Sequence, residues 1–454
     1  MRILHISLGL PPLRTGGLTR YSVELMQAQV ENGDEVFLMF PGRFMRGRTR
    51  IVEGSWKGIG TFEVVNPLPV PLTYGVAEPE PFMAKCDASE EYGLFLGRLK
   101  PDAIHVHSYQ GIHREFFEAA KSYGVPLVFT THDYYPICPR ATLVDRCGDP
   151  CDGPAPERCA RCCRGVGMTL RKSRVMQSGL YARLKDSRLL RAAAGKVKKG
   201  MAPADAGASE GEMPLPPVDA SPYKELLAYN AGILSLVDLI VPNSAMTERI
   251  YRGYFPDKSY RLVPGTHAGL SRRRPAARSL GGPAPKIAYL GGRKAYKGYG
   301  TLLEACRILH DEGFGFRLDL YGDEYEQPEW VPEAACCGRV PPEETRGILR
   351  AHDVVVVPSI CHETCGFVVL EALCEGVRVV CSDAVGAADL VDSDYVFKAG
   401  SASELACKIE QACANRSVTT ALVPLNYPVT MDEQVHLLEC AYCDLIREVT
   451  SGSK

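Results

Sequence analysis

The chain has 454 residues, 46% of them hydrophobic and 23% charged, and a net charge of −2. That length exceeds what one hydrophobic core usually supports, so two domains are expected; the charge gives no hint of nucleic-acid binding, and no run of about 20 apolar residues is present to span a bilayer. The 18 cysteines would suit disulfides only in a secreted chain. The start, "MRILHISLGLPPLRTGG", breaks at Pro11-Pro12 and reads as a first strand rather than a leader, so the expectation is a cytoplasmic protein with reduced thiols.

Apolar runs follow one another in chain order. The first half holds "RILHISL", "EVFLMF", "AIHVHS", "PLVFTTHD" and "DLIVPNS"; the second holds "KIAYLGG", "FRLDLYGD", "DVVVVPS" and "RVVCSD". Continuous rather than alternating apolar runs imply strands covered on both faces, hence parallel sheets flanked by helices. "YSVELMQAQVENGDEVFLMF" is one helix-to-strand unit, with Gly33 as the helix stop. The stretch 198–222 reads as a loop insertion, and "SRRRPAARSLGGPAP" (271–285) as an interdomain linker. The expected fold is α/β, with two doubly wound Rossmann-like domains facing a cleft. The first covers 1–275, with an insertion at about 164–230, and the second covers 276–424. A terminal helix in 425–454 should pack back toward the first domain.

Ligands of such sheets bind at the carboxyl ends of the strands, and the motifs fall there. Gly16-Gly17 opens a loop into a helix, where backbone amides can approach an anion, although a tight turn alone would look the same. In "GGRKAYKG", Gly292 precedes Arg293 and Lys297, two cations suited to a diphosphate unless they are merely solvated. "HETCGFVVLEAL" places Glu363 on the loop leaving "DVVVVPS". Gly366 and Phe367 then start a helix whose free amides can hold phosphate. Glu371, a turn further in, is costly among apolar neighbours unless something pairs with it. The hydroxyls of a ribose would serve. A nucleotide attached to a polyhydroxylated group answers the whole pattern.

Three further features remain. His105 is expected to turn to the opposite face of its strand from His107 and pack in the core, while His132 and Asp133 end a strand near the cleft, either orienting an acceptor or bonding to each other. Cys138, Cys151, Cys159 and Cys162, with Cys147 and Cys163 as alternates, could form a four-thiolate structural zinc site or remain buried free thiols. The stretch 171–199 carries ten Lys or Arg residues against one acid, Asp186, and Leu180, Tyr181 and Leu184 could share a helical face. It reads as a basic amphipathic helix docking at the inner face of a membrane, or as a solvated helix.

Taken together, "GGRKAYKG", "GRVPPEETRGILRAHDVVVVPS", the E-x7-E pair Glu363 and Glu371, and "EGVRVVCSDAVGAADLV" resemble the family 4 type of glycosyltransferases with GT-B architecture. The first half matches through "TGGLTRYSVELMQAQVENGDEV", "DAIHVHS", "THDYYPICPR" and "DLIVPNSAMTERI". The resemblance covers most of the chain outside 164–230. It implies retaining transfer of a sugar from a UDP- or GDP-sugar to a glycan, lipid-linked or other hydroxyl acceptor, in cell-envelope polysaccharide synthesis and without a catalytic metal. By the same resemblance Arg293 and Lys297 neutralise the leaving diphosphate, Glu371 binds ribose, and Glu363 binds the donor sugar. His107 contacts that sugar near the reacting carbon, and Gly16 and Gly17 lie close to donor and acceptor. Two positions depart from the pattern: Arg378 stands where these enzymes commonly have proline, and Asp389 where they have glutamate. A nucleotide-sugar epimerase that hydrolyses its donor, or a catalytically silent nucleotide-sugar-binding protein, are the alternatives.

Overall fold

The structure is a computed structural model that describes residues 1–184, 219–270, 284–322, 328–329, 331–414 and 429–452. Most of the expected insertion, most of the linker, and the basic stretch from 185 onward lie outside these residues.

The first sheet has eight strands in the order β3-β4-β2-β1-β5-β6-β7-β8. They are β1 (Arg2–Ile6), β2 (Glu35–Pro41), β3 (Arg50–Trp56), β4 (Ile59–Val65), β5 (Ala103–Val106), β6 (Leu127–Thr130), β7 (Leu239–Val241) and β8 (Ser259–Tyr260). The second sheet has six, in the order β11-β10-β9-β12-β13-β14. These are β9 (Lys286–Leu290), β10 (Arg317–Tyr321), β11 (Ala334–Gly338), β12 (Val354–Val357), β13 (Arg378–Ser382) and β14 (Val396–Phe397). Every pairing is parallel except β3 with β4. Strands such as β5, β6 and β12 are buried along their whole length, which is why they read as unbroken apolar runs.

The β3–β4 hairpin escaped the sequence reading. It sits at the sheet edge and β3 is half solvated, so no continuous run marks it. Its signal was the turn: Lys57 and Gly58 both have positive φ, 47° and 82°, the combination that matches the twist of a two-residue hairpin.

The terminal helix Met431–Gly452 belongs to the first domain's core. Val435, Leu438, Ala441 and Tyr442 pack with Ile3, Tyr21, Leu25 and Val128. Gln434 donates to the Tyr21 hydroxyl, and Arg261 pairs with Asp444 at 2.7 Å. Where the chain returns to the first domain, Thr266 donates to the carbonyl oxygen of Val429. The chain thus passes through the second sheet and returns to pack its last helix on the first.

Candidate active site

Two turns of the second domain build one wall. β9 runs into a single 3-10 turn, Ala295–Lys297, closed by Gly298 at φ 74°. A side chain on Gly298 would strike the carbonyl oxygen of Pro358 at 1.7 Å, so glycine lets this turn lie directly on the exit of β12. The exit loop ends at Gly366, with φ 86°, and the helix Phe367–Cys374 begins. A Cβ at Gly366 would come within 2.4 Å of Val385, so this bend also requires glycine.

The packing of the two turns brings Lys297 Nζ to 2.8 Å from Glu363 Oε1. The Ser359 hydroxyl donates to the same oxygen. Burial alone would raise the Glu363 carboxyl, but Lys297 and the two hydrogen bonds outweigh it and hold the group below the usual glutamate range. Lys297 rises above its ordinary value: burial opposes its charge, and Glu363 more than compensates. With 34% of its side chain exposed and a partner in place, Lys297 is not the merely solvated cation that the sequence left open as the alternative.

Glu371 also has partners, from the opposite domain. Its Oε1 lies 3.6 Å from Arg20 Nη1 and 3.0 Å from His267 Nε2. The His267 contact is out of line for a hydrogen bond, but Arg20 Nη2 meets His267 Nδ1 at 2.8 Å. Arg20 is held in turn by Glu24 at 2.9 Å, and Glu24 accepts from the amide of Ala268. Neither Arg20 nor His267 stood out in the sequence; the one legible sign was the i, i+4 pair Arg20–Glu24.

The first domain supplies the facing wall. The helix Gly17–Glu31 starts after Gly16, at φ 116°, and a Cβ on Gly17 would touch the Phe367 ring at 3.4 Å. Thr364 donates to the carbonyl oxygen of His132 across the cleft at 3.3 Å. The half-open cleft between these walls has a volume of about 480 Å³. Gly17, His132, Asp133, Lys297, Glu363, Gly366 and Phe367 lie on its wall, whereas Gly16, His107, Gly292, Arg293 and Glu371 do not.

His107 is fully buried one layer behind His132, to which it is hydrogen-bonded at 3.2 Å. His105 requires a correction. It does not face away from His107: the two rings stack with centroids 4.3 Å apart, because residues two apart on a strand share a face. It is nonetheless a core residue, bonded to Tyr442 at 2.6 Å and Thr130 at 2.7 Å. Asp133 does not bond His132; it accepts from Gln110 at 3.0 Å and from the Tyr135 amide at 2.9 Å, and burial pushes its carboxyl up to about 6.

Among the described residues, the group whose ligating atoms all lie within 4.8 Å is His5, His105 and His107. Every ring nitrogen of these three already has a protein partner. Cys138, Cys151, Cys159 and Cys162 influence one another around the helix Pro156–Cys163 without forming such a group. The Cys162 thiol is lowered to about 7 by a hydrogen bond with that of Cys163. Of the basic stretch, 171–184 is described as two short helices, Leu170–Met176 and Gly179–Leu184, with Val175 and Leu180 exposed. Arg378 is buried over the Tyr395 ring, a cation–π contact that accommodates an arginine where proline was expected.

Two doubly wound domains, with a lysine-bearing turn and an acid-bearing helix facing a glycine-led helix, have the GT-B architecture. The model "Glycosyltransferase Family 4" matches residues 15–156, and "Glycosyl transferases group 1" matches 284–415. The chain belongs to the family 4 type of GT-B glycosyltransferases. Its fold is similar to that of sucrose-phosphate synthase from Thermosynechococcus elongatus, with TM-score 0.52 and 16% identity over 99% of each chain. A UDP-forming α,α-trehalose-phosphate synthase from Burkholderia xenovorans, in complex with glucose-6-phosphate, gives 0.55 and 12% over 99% of this chain and 100% of that one. Anabaena HepE in complex with UDP gives 0.51 and 12% over 100% and 99%. No curated protein matches the chain by sequence.

Proposed function

We propose that the protein transfers a hexose from a UDP- or GDP-sugar, with retention of anomeric configuration, to a hydroxyl of a glycan or lipid-linked acceptor in cell-envelope polysaccharide synthesis. The observation that carries the reading is the Lys297–Glu363 pair on the cavity wall, beside the free amides at the start of the helix Phe367–Cys374. A departing diphosphate develops negative charge, and a preorganised cation with helix amides stabilises that charge without reorganisation. Glu363, held ionised by Lys297, would accept hydroxyls of the donor sugar. Arg293, exposed four residues before Lys297, would add a second cation for the phosphates. The UDP bound by HepE and the UDP-forming reaction of the trehalose-phosphate synthase favour UDP as the carrier.

Acceptor-dependent release of nucleoside diphosphate from a panel of UDP- and GDP-sugars tests the reading. Release that ignores the acceptor points to the hydrolysing epimerase, and tight binding without release to the silent protein. A thermal-shift screen narrows the panel, since a ligand at a hundred times its dissociation constant stabilises by about 2.7 kcal/mol.

Catalysis is expected to need no divalent metal, because Lys297 and Arg293 supply the positive charge. Brief EDTA treatment should leave turnover unchanged; loss restored by Mg²⁺ or Mn²⁺ overturns this. Separately, the thiols of Cys138, Cys151, Cys159 and Cys162 are proposed to hold one structural zinc. Metal analysis of protein purified without chelator should give close to one equivalent. Less than about a tenth of an equivalent removes the site.

Peripheral membrane contact through 171–199 is the remaining proposal, supported by the exposed Val175 and Leu180 among exposed Arg171, Lys172 and Arg174. Cations near an anionic leaflet contribute about 1 kcal/mol each. Co-sedimentation with vesicles should rise with their anionic lipid fraction and fall with salt. Binding that survives charge reversal of Arg171, Lys172 and Arg174 together with Arg183, Lys185 and Arg188 counts against it.

A further inference from the structure

His5, His107 and His132 stand at or just beyond the carboxyl ends of three adjacent strands, β1, β5 and β6, and form a single file ending at the cavity. Gln29 Oε1 lies 2.8 Å from His5 Nε2, His5 Nδ1 lies 2.9 Å from His107 Nε2, and His107 Nδ1 lies 3.2 Å from His132 Nε2. Gln29, His5 and His107 are completely buried, and His132 alone reaches the cavity wall. His105, stacked beside the file, is closed off by its own bonds to Tyr442 and Thr130.

A neutral imidazole has one N–H and one lone pair, so hydrogen bonds along a file of neutral rings must all run in the same direction. Burial keeps the rings neutral: it lowers His5 to about 4 and His132 to about 3, and takes His107 well below its ordinary value. The anchor then sets the direction. Gln29 turns its amide oxygen to His5 and, among the described residues, leaves its Nε2 without a hydrogen-bond partner; in that orientation it can only accept, so His5 carries its proton on Nε2 and accepts at Nδ1. His107 therefore donates from Nε2 and accepts at Nδ1, and His132 donates from Nε2. That leaves His132 Nδ1 as a bare lone pair, and among the described residues it has no hydrogen-bond partner.

We infer that Gln29, His5 and His107 are positioning residues that fix His132 as its Nε2-protonated tautomer, so that Nδ1 on the cavity wall accepts a hydrogen bond from the attacking hydroxyl of the acceptor. The inference rests on reading the cavity as the transfer site. The weakly basic ring orients the hydroxyl and leaves the proton on it, so His132 discriminates in favour of acceptors with a donor group at that point.

The test reads the tautomer directly, through nitrogen-15 spectra of the full-length protein labelled at its ten histidines, with His132 assigned by His132→Asn. Wild-type His132 should be protonated at Nε2 only. Gln29→Glu, whose carboxylate can only accept, should keep that pattern. Gln29→Leu should produce a mixture of tautomers. With the donor and acceptor found by the release assay, Gln29→Leu should raise the acceptor KM by about tenfold with donor KM unchanged, the scale of one misdirected hydrogen bond, while Gln29→Glu stays within about threefold. A wild-type His132 protonated at Nδ1 overturns the inference, as do Gln29 variants that lower melting temperature alone. The spectra need no substrate, so failure of the relay and failure of the transferase reading are separable.

Discussion

Lys297→Ala is expected to lower acceptor-dependent turnover by about 10²- to 10³-fold, the range for removing one preorganised group that stabilises developing charge. That corresponds to about 3–4 kcal/mol of transition-state stabilisation. The loss of folding stability should be smaller, about 1–2 kcal/mol, because the Lys297 side chain is 34% exposed and solvent screens part of its attraction to Glu363. The contrast between the two losses is the test. If melting temperature falls steeply while the rate falls less than tenfold, Lys297 is a structural partner of Glu363 and not the leaving-group cation. The pH dependence gives a second readout. Glu363 is held below its ordinary range in the folded state, so its contribution to stability is complete above about pH 4.3 and disappears as pH falls through the depressed native value. Removing Lys297 removes most of that depression, so the variant's stability should depend less on pH across that acid window than the wild type's.

On the proposal that Glu371 holds the ribose, Glu371→Gln should raise the dissociation constant of the nucleoside diphosphate by about 10- to 100-fold, because charge-assisted hydrogen bonds to the hydroxyls would become neutral ones. In the structure Glu371 is already engaged by Arg20 and His267, so binding must redirect a carboxylate that now ties the domains together. This makes two roles separable by calorimetry and thermal melting. A ribose ligand loses nucleotide affinity with a small change in melting temperature. A domain pin loses melting temperature and keeps nucleotide affinity, and that outcome would sink the assignment. Arg20→Ala supplies the control, since it removes the pin and leaves the carboxylate in place.

Much of this protein was legible in the sequence for a simple reason: the features concerned are local. A strand buried on both faces must be apolar throughout, so β1, β5, β6, β9, β12 and β13 are visible as runs. The loop and helix from Glu363 to Glu371 are contiguous, and glycine at Gly366 and Gly298 is favoured by a left-handed backbone at both positions. Alternation on a strand is equally local, so the expectation that His105 turns away from His107 misapplied a rule that puts residues two apart on one face. What the sequence could not contain is the choice of neighbours across the fold. Lys297 meets Glu363 because two turns stack at Gly298, Glu371 meets Arg20 because the domains close, and Tyr442 reaches His105 because the last helix returns to the first sheet. Burial is likewise a property of the whole: His107 and His132 look alike in sequence, yet tertiary packing hides one and leaves the other at the cavity. Hydrophobic period and backbone stereochemistry act over a few residues and fix the elements, whereas desolvation and ion pairing act through space and are decided only when those elements pack.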